Sequence, residues 1–191
     1  MAKKNSYKEC FSYIAKNKNF IYVVISLFIV SIFIGYFFPK LFSDYINEML
    51  KQLVEKTKDM NVIKLFLFIF ENNLKTSFMG MLLGIAFGFF PLLLSFFNGY
   101  VLGYVSKGVI ETEGALTLTR LLPHGIFELP AVFISFGLGL KLGFILLLNI
   151  RNKKQVFFSN FASCLKIFVY IVIPLLLIAA IIESSLMFLL N

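Results

Sequence analysis

His124 is the only histidine in this chain, with Arg120 four residues before it and Glu128 four residues after. On a helix, residues so spaced share one face, offset by about 40° per step. A guanidinium, an imidazole and a carboxylate on one face can neutralise one another, relay a proton, hold a polar solute or ligate a metal. Metal binding fits least, because one His and one Glu supply two ligands and no other candidate has matching spacing. The HExxH pattern of metalloproteases and the GxSxG pattern of serine hydrolases are both absent. No catalytic, metal-ligating or cofactor-binding residue is therefore assigned, and no cofactor is expected. Two readings of Arg120, His124 and Glu128 stand: a mutually satisfied structural cluster, and a proton relay or polar substrate site.

The backbone that must position these groups is unusual. The stretch LLPHGIFELPA, residues 121–131, contains Pro123, Gly125 and Pro130. Prolines remove helix hydrogen bonds and glycine weakens the helix, so a broken or re-entrant helix is predicted over 116–129. Backbone freed in this way at membrane depth must be buried in protein or line water.

Composition says which solvent surrounds it. Of 191 residues, 59% are apolar and 15% charged, and the mean hydropathy is +0.88. Soluble domains carry about 25% charged residues. A small globule cannot absorb this much apolar surface, so lipid must solvate part of it. The fold class predicted is all-α: a polytopic helical bundle of about five spans. The net charge of +8 reads as positive-inside anchoring. Nucleic-acid binding is not expected, because the basic residues are scattered along membrane-flanking segments. Cys10 and Cys164 lack metal-ligand spacing and are read as reduced thiols on the cytoplasmic side.

Four segments follow. Residues 1–19, with Lys3, Lys4, Lys8, Lys16 and Lys18, form a basic cytoplasmic N-terminus. Residues 20–38 are a first span of about 28 Å, retained rather than cleaved because no small-residue cleavage site ends it. Residues 40–75 form an extracytoplasmic amphipathic segment: Phe42, Tyr45, Ile46, Met49, Leu50 and Leu53 recur at helical steps, with charges between. Within it Val62–Phe70 is too short to span. Residues 76–191 are the transmembrane core. The stretch 76–106 is about 46 Å as one helix, too long for an upright crossing. It is read as two short crossings with a turn near Phe89-Phe90-Pro91, one kinked helix being the alternative. Two crossings return the basic loop Arg151–Lys154 to the cytoplasm. Spans at 130–149 and 165–183, the latter kinked at Pro174, complete five crossings, N-terminus inside and C-terminus outside.

Gly80, Gly84 and Gly88, then Gly99 and Gly103, then Gly139 and Gly143 recur at GxxxG spacing. In lipid such glycines let backbones approach closely, within this chain or in a homodimer. Asn98 and Tyr100 beside Gly99 are placed to donate across such an interface. Lys141 is expected to snorkel to the cytoplasm or to pair with an acid such as Glu128. The blocks 95–103 and 135–143 match at five of nine positions, each preceded by a proline, Pro91 or Pro130. A duplication of this kind would resemble the repeats of transporters.

The glycine-rich stretch leading to Pro91, the block Phe97-Asn98-Gly99-Tyr100, and PHGIFELPA followed by Gly137-Leu138-Gly139-Leu140 resemble the stage II sporulation protein M family, over about Thr76–Glu183. In spore formers that family's namesake is a multi-span membrane protein acting with a cell-wall lytic transglycosylase and another membrane protein. The resemblance implies a membrane scaffold or recruiter rather than a hydrolase, and supplies no catalytic residues. The partners expected are the lipid bilayer, a homo-oligomer such as a dimer, and other membrane proteins. A small transporter or channel using Arg120, His124 and Glu128 is the alternative.

Overall fold

The structure, a computed structural model, describes residues 2–114, 116–117 and 122–190, with backbone alone for 2–5, 122–124 and 188–190. Eight α-helices are described: α1 (Ala2–Lys16), α2 (Lys18–Phe37), α3 (Ser43–Thr57), α4 (Val62–Leu82), α5 (Phe89–Glu113), α6 (Leu122–Leu147), α7 (Lys153–Ile167) and α8 (Ile173–Leu190). No strand occurs among the described residues. Four helical segments are long and apolar enough to cross a membrane: Lys18–Phe37, Phe89–Glu113, Gly125–Leu147 and Lys153–Met187. α4 has spanning length at 21 residues, but Lys64, Glu71 and Lys75 interrupt its apolar run.

Two parallel helix pairs form the centre. Ser95 Oγ of α5 donates to the Val24 carbonyl of α2 at 2.9 Å. One turn further along both helices Gly99 lies against Phe28, and one turn beyond that Gly103 lies against Ile32. The partners advance together, so α2 and α5 run in the same direction. In the second pair, Ser135 Oγ of α6 donates to the Ser77 carbonyl of α4 at 2.6 Å. Gly139 then meets the backbone of Gly80 and Met81, and Gly143 that of Gly84 and Gly88. The two matching blocks thus do the same work. Each serine ties its helix to a carbonyl of an earlier helix, and the two glycines that follow let the backbones touch. The glycine faces anticipated for this chain or a homodimer are occupied within the chain.

The breaks in the helices lie elsewhere than expected. The residues 62–70, read as too short to span, are the first half of α4. Asn61 caps them, its side chain accepting from Lys64 N at 2.9 Å. The segment 40–75 therefore divides between the amphipathic α3 and this longer helix. The stretch 76–106 does fold as two helices, but the turn comes before Phe89. A 3-10 turn over Leu83–Ile85 leads to Phe87 and Gly88 at φ 57° and 78°. Left-handed backbone reverses the chain there, a geometry glycine adopts without cost and phenylalanine does not. Pro91, buried, sits in the first turn of α5, where its missing N–H leaves no bond unmade.

The break predicted over 116–129 is corrected in part: α6 is continuous from Leu122 through Pro130. Pro123 occupies its first turn, where proline is tolerated. Pro130 removes one ladder bond, which packed helices tolerate. Pro174 does disturb the last helix. A five-residue π turn, Phe168–Val172, joins α7 to α8 just before it, as expected where a proline cannot donate to the preceding turn.

Candidate functional site: a polar cavity between helices

α4 and α5 leave their shared turn and make little contact with each other. The space between them is a cavity of about 260 Å³, backed by α6 and closed on one side by Phe28 of α2. Asn72, Asn73 and Thr76 project from α4, Asn98 from α5, and Gly125 and Glu128 from α6. Valine and leucine side chains, including Val101, Leu102 and Val132, make the remaining wall. The parallel packing of α4 on α6 sets this level: Ser77 meets Ser135, so Asn73 lies one turn above Ser77 and Glu128 about two turns above Ser135.

Glu128 is half-buried, and among the described residues no hydrogen bond or ion pair reaches its carboxylate. Glu183 of α8 lies within electrostatic range of it. Asn98 Nδ2 donates to the Leu94 carbonyl of its own helix at 2.8 Å, which leaves its carbonyl oxygen for the cavity. Three amides, a hydroxyl and a carboxylate therefore line one space, open to the surface at Asn72 and Asn98, and polar groups grouped in this way between apolar helices are costly unless they meet water or bind something.

Of the predicted cluster, Glu128 is at this cavity, and Gly125 lines it. His124 lies in the first turn of α6 with only its backbone described, and Arg120 lies outside the described residues. Asn98 is at the cavity rather than across the α2–α5 interface, where Gly99 and Gly103 pack instead. Asn72, Asn73 and Thr76 were missed as site residues. In the sequence they stand within or next to the polar stretch 71–75, and only the length of α4 carries them to the cavity. Two adjacent amides in the middle of a helix of spanning length were the signal available.

Lys141 does not pair with Glu128, which stands more than three turns away along α6. Its Nζ donates to Asn17 Oδ1 at 2.5 Å and lies 4.5 Å from the centroid of the Tyr13 ring. Tyr13 hydroxyl in turn donates to Asn160 Oδ1 at 2.6 Å, and Asn17 Nδ2 donates to the Tyr13 carbonyl at 2.7 Å. Asn17 marks the kink between α1 and α2, so this network joins the amino-terminal helix to α6 and α7. Lys166 and Glu9 pair at 2.5 Å on the exposed side of the same joint. Burial pushes the Cys10 thiol above its ordinary range, with Lys166 acting in the opposite sense. Burial also raises Tyr13, and the neighbouring Cys164 adds to the rise.

Helical bundling without strands among the described residues, four segments long and apolar enough to cross a membrane, and close packing through glycine define the class of helical membrane proteins. The chain belongs to the stage II sporulation protein M family, whose family model matches residues 24–186. It is similar to uncharacterized protein MJ0706 of Methanocaldococcus jannaschii, 30% identical over 190 residues, covering 91% of this chain and 83% of that one. It is also similar to uncharacterized protein MJ0793 of the same organism, 35% identical over 89 residues, 46% of this chain. The matched stretch spans 50% of that relative's own length. No solved structure matches the chain. The family is not known as one of enzymes.

Proposed function

We propose that this protein is a non-enzymatic membrane organiser that recruits or positions a partner through its outer face. The observation that carries the reading is α3. It is tied to the bundle by the buried Ile46, by Phe42 against Phe97 and Tyr100, and by Tyr104 hydroxyl donating to Asn47 Oδ1 at 2.8 Å. Yet Tyr45 and Val54 stay 68% and 62% exposed. A helix held in place with apolar side chains uncovered suits a docking platform. In this reading α4 crosses as a fifth span, the amino terminus is cytoplasmic, and α3 and the carboxyl terminus are outside. Self-association would use α3 or the exposed aromatic surface, since the glycine faces are filled.

The test is photo-crosslinking from positions 45 and 54 in native membranes. The reading expects adducts with a distinct membrane polypeptide or with a second copy. Lipid adducts alone, from both positions, would remove it.

The cavity favours a second reading, a small transporter or channel. It holds a carboxylate and amides between helices that reverse at Phe87-Gly88. Reconstitution into liposomes tests it, comparing solute flux and proton uptake between wild type and Glu128→Gln. Equal signals from both proteins and from empty liposomes would end this reading.

A further inference from the structure

We infer that the cavity between α4, α5 and α6 is a binding site for a small primary organic ammonium ion. The inference concerns occupancy, and it stands whether the protein moves a solute or only organises partners.

The chemistry of the wall selects the class. Glu128 is the only ionisable side chain among the described residues lining it, so by charge this wall repels an anion and attracts a cation. A primary ammonium has three donors and no acceptor. It finds a carboxylate at Glu128, amide carbonyls at Asn73 and Asn98, and the Thr76 hydroxyl oxygen, all facing one space. Charge-assisted hydrogen bonds of this kind are roughly twice as strong as neutral ones.

Volume and polarity narrow the class further. A bare alkali ion is held by several oxygens in direct contact, at about 2.3–2.6 Å for the comparable hard cation calcium. A space of about 260 Å³ is too roomy for the few oxygens present to close on one ion. One side of the wall is apolar, with Phe28, Val101 and Val132. That side gives a short alkyl chain a dry surface, as small-molecule sites usually do. A head of three donors on a chain of a few carbons satisfies both sides at once.

The experiment uses the full chain in lipid nanodiscs with n-butylammonium chloride as probe, at constant ionic strength. Sodium chloride and n-butanol serve as parallel arms, and thermal unfolding and calorimetry as readouts. Saturable stabilisation by butylammonium is expected, with at least tenfold weaker binding to Glu128→Gln. Val101→Phe, which fills the apolar side and leaves the carboxylate in place, should weaken binding by a similar factor. It also provides the test if Glu128→Gln fails to fold. Equal binding of sodium, or of butanol, would overturn the ammonium class. Butylammonium binding unchanged in Val101→Phe would place the ion elsewhere. Binding that emerges only after Arg120→Gln would mean that a side chain of this chain already occupies the site. Either of these last results also overturns the inference.

Discussion

Gly103→Ala measures how much of this fold rests on backbone contact between helices. A Cβ at Gly103 would overlap the carbonyl oxygen of Ile32 most closely, and would lie 2.8 Å from the carbonyl carbon and 3.0 Å from the Cα of that residue. All three are main-chain atoms of α2, so no rotamer change can relieve the overlap. Ordinary contact begins at 3.4 Å, so the two helices must separate by about an ångström or more. Overpacking of this kind costs about 1–3 kcal/mol. Alanine returns about 0.8–1.0 kcal/mol through its better helix propensity. The net is a loss of up to about 2 kcal/mol, and more if separation breaks the Ser95–Val24 hydrogen bond. Gly108→Ala on the same helix is the control, because nothing lies within 4 Å of its Cβ; it should be neutral or stabilising by up to about 1 kcal/mol. Thermal unfolding in one detergent, with reversible denaturation where attainable, compares the two. Equal midpoints for Gly103→Ala and Gly108→Ala would refute the argument that α2 and α5 touch through glycine.

Lys141→Met should lower stability by about 1–2 kcal/mol, because it removes the bond to Asn17 and the contact with the Tyr13 ring; an unchanged melt in detergent would show the joint to be dispensable. Cys10 and Tyr13 are acids whose neutral forms the fold favours. The unfolded chain releases these protons first, so stability should be flat near neutrality and fall as pH rises above about 9. Tyr13→Phe should flatten the upper part of that fall in a series of melts, and an identical slope would count against the burial argument. The buried Cys10 and Cys164 should react slowly with a maleimide in the native protein and rapidly after denaturation, which labelling followed by mass spectrometry reads directly.

Legibility in the sequence tracked the range of the physics. The run 20–38 and the alternation from Phe42 to Leu53 were readable because spanning length and helical periodicity are local properties. α2 and α3 appear where those patterns put them. The glycine spacing predicts close helix contact, and Gly99, Gly103, Gly139 and Gly143 lie against the backbone of other helices. Which helix each glycine meets was not readable, since the spacing is the same whether the partner is α2, α4 or another copy. Local breakers misled over 116–129, because a proline's cost depends on its place in the helix and on what its neighbours satisfy. Pro123 in a first turn costs little, and Pro130 lies in a helix held by α2, α4 and α8.

From the composition and the length of the apolar runs follow the solvent, the all-helical class and the need for polar groups in the bundle to find partners. These are summed or local properties, indifferent to how distant segments meet. Which groups meet was decided only in three dimensions. Lys141 found Asn17 rather than Glu128, across 124 positions of chain, because α6 runs antiparallel to α2 and carries its last turns to the kink. Asn72 and Asn73 became cavity walls because α4 packs parallel to α6 while standing away from α5. Such juxtapositions arise from helix directions and crossing points, which are properties of pairs of elements and leave no mark in either element's own sequence.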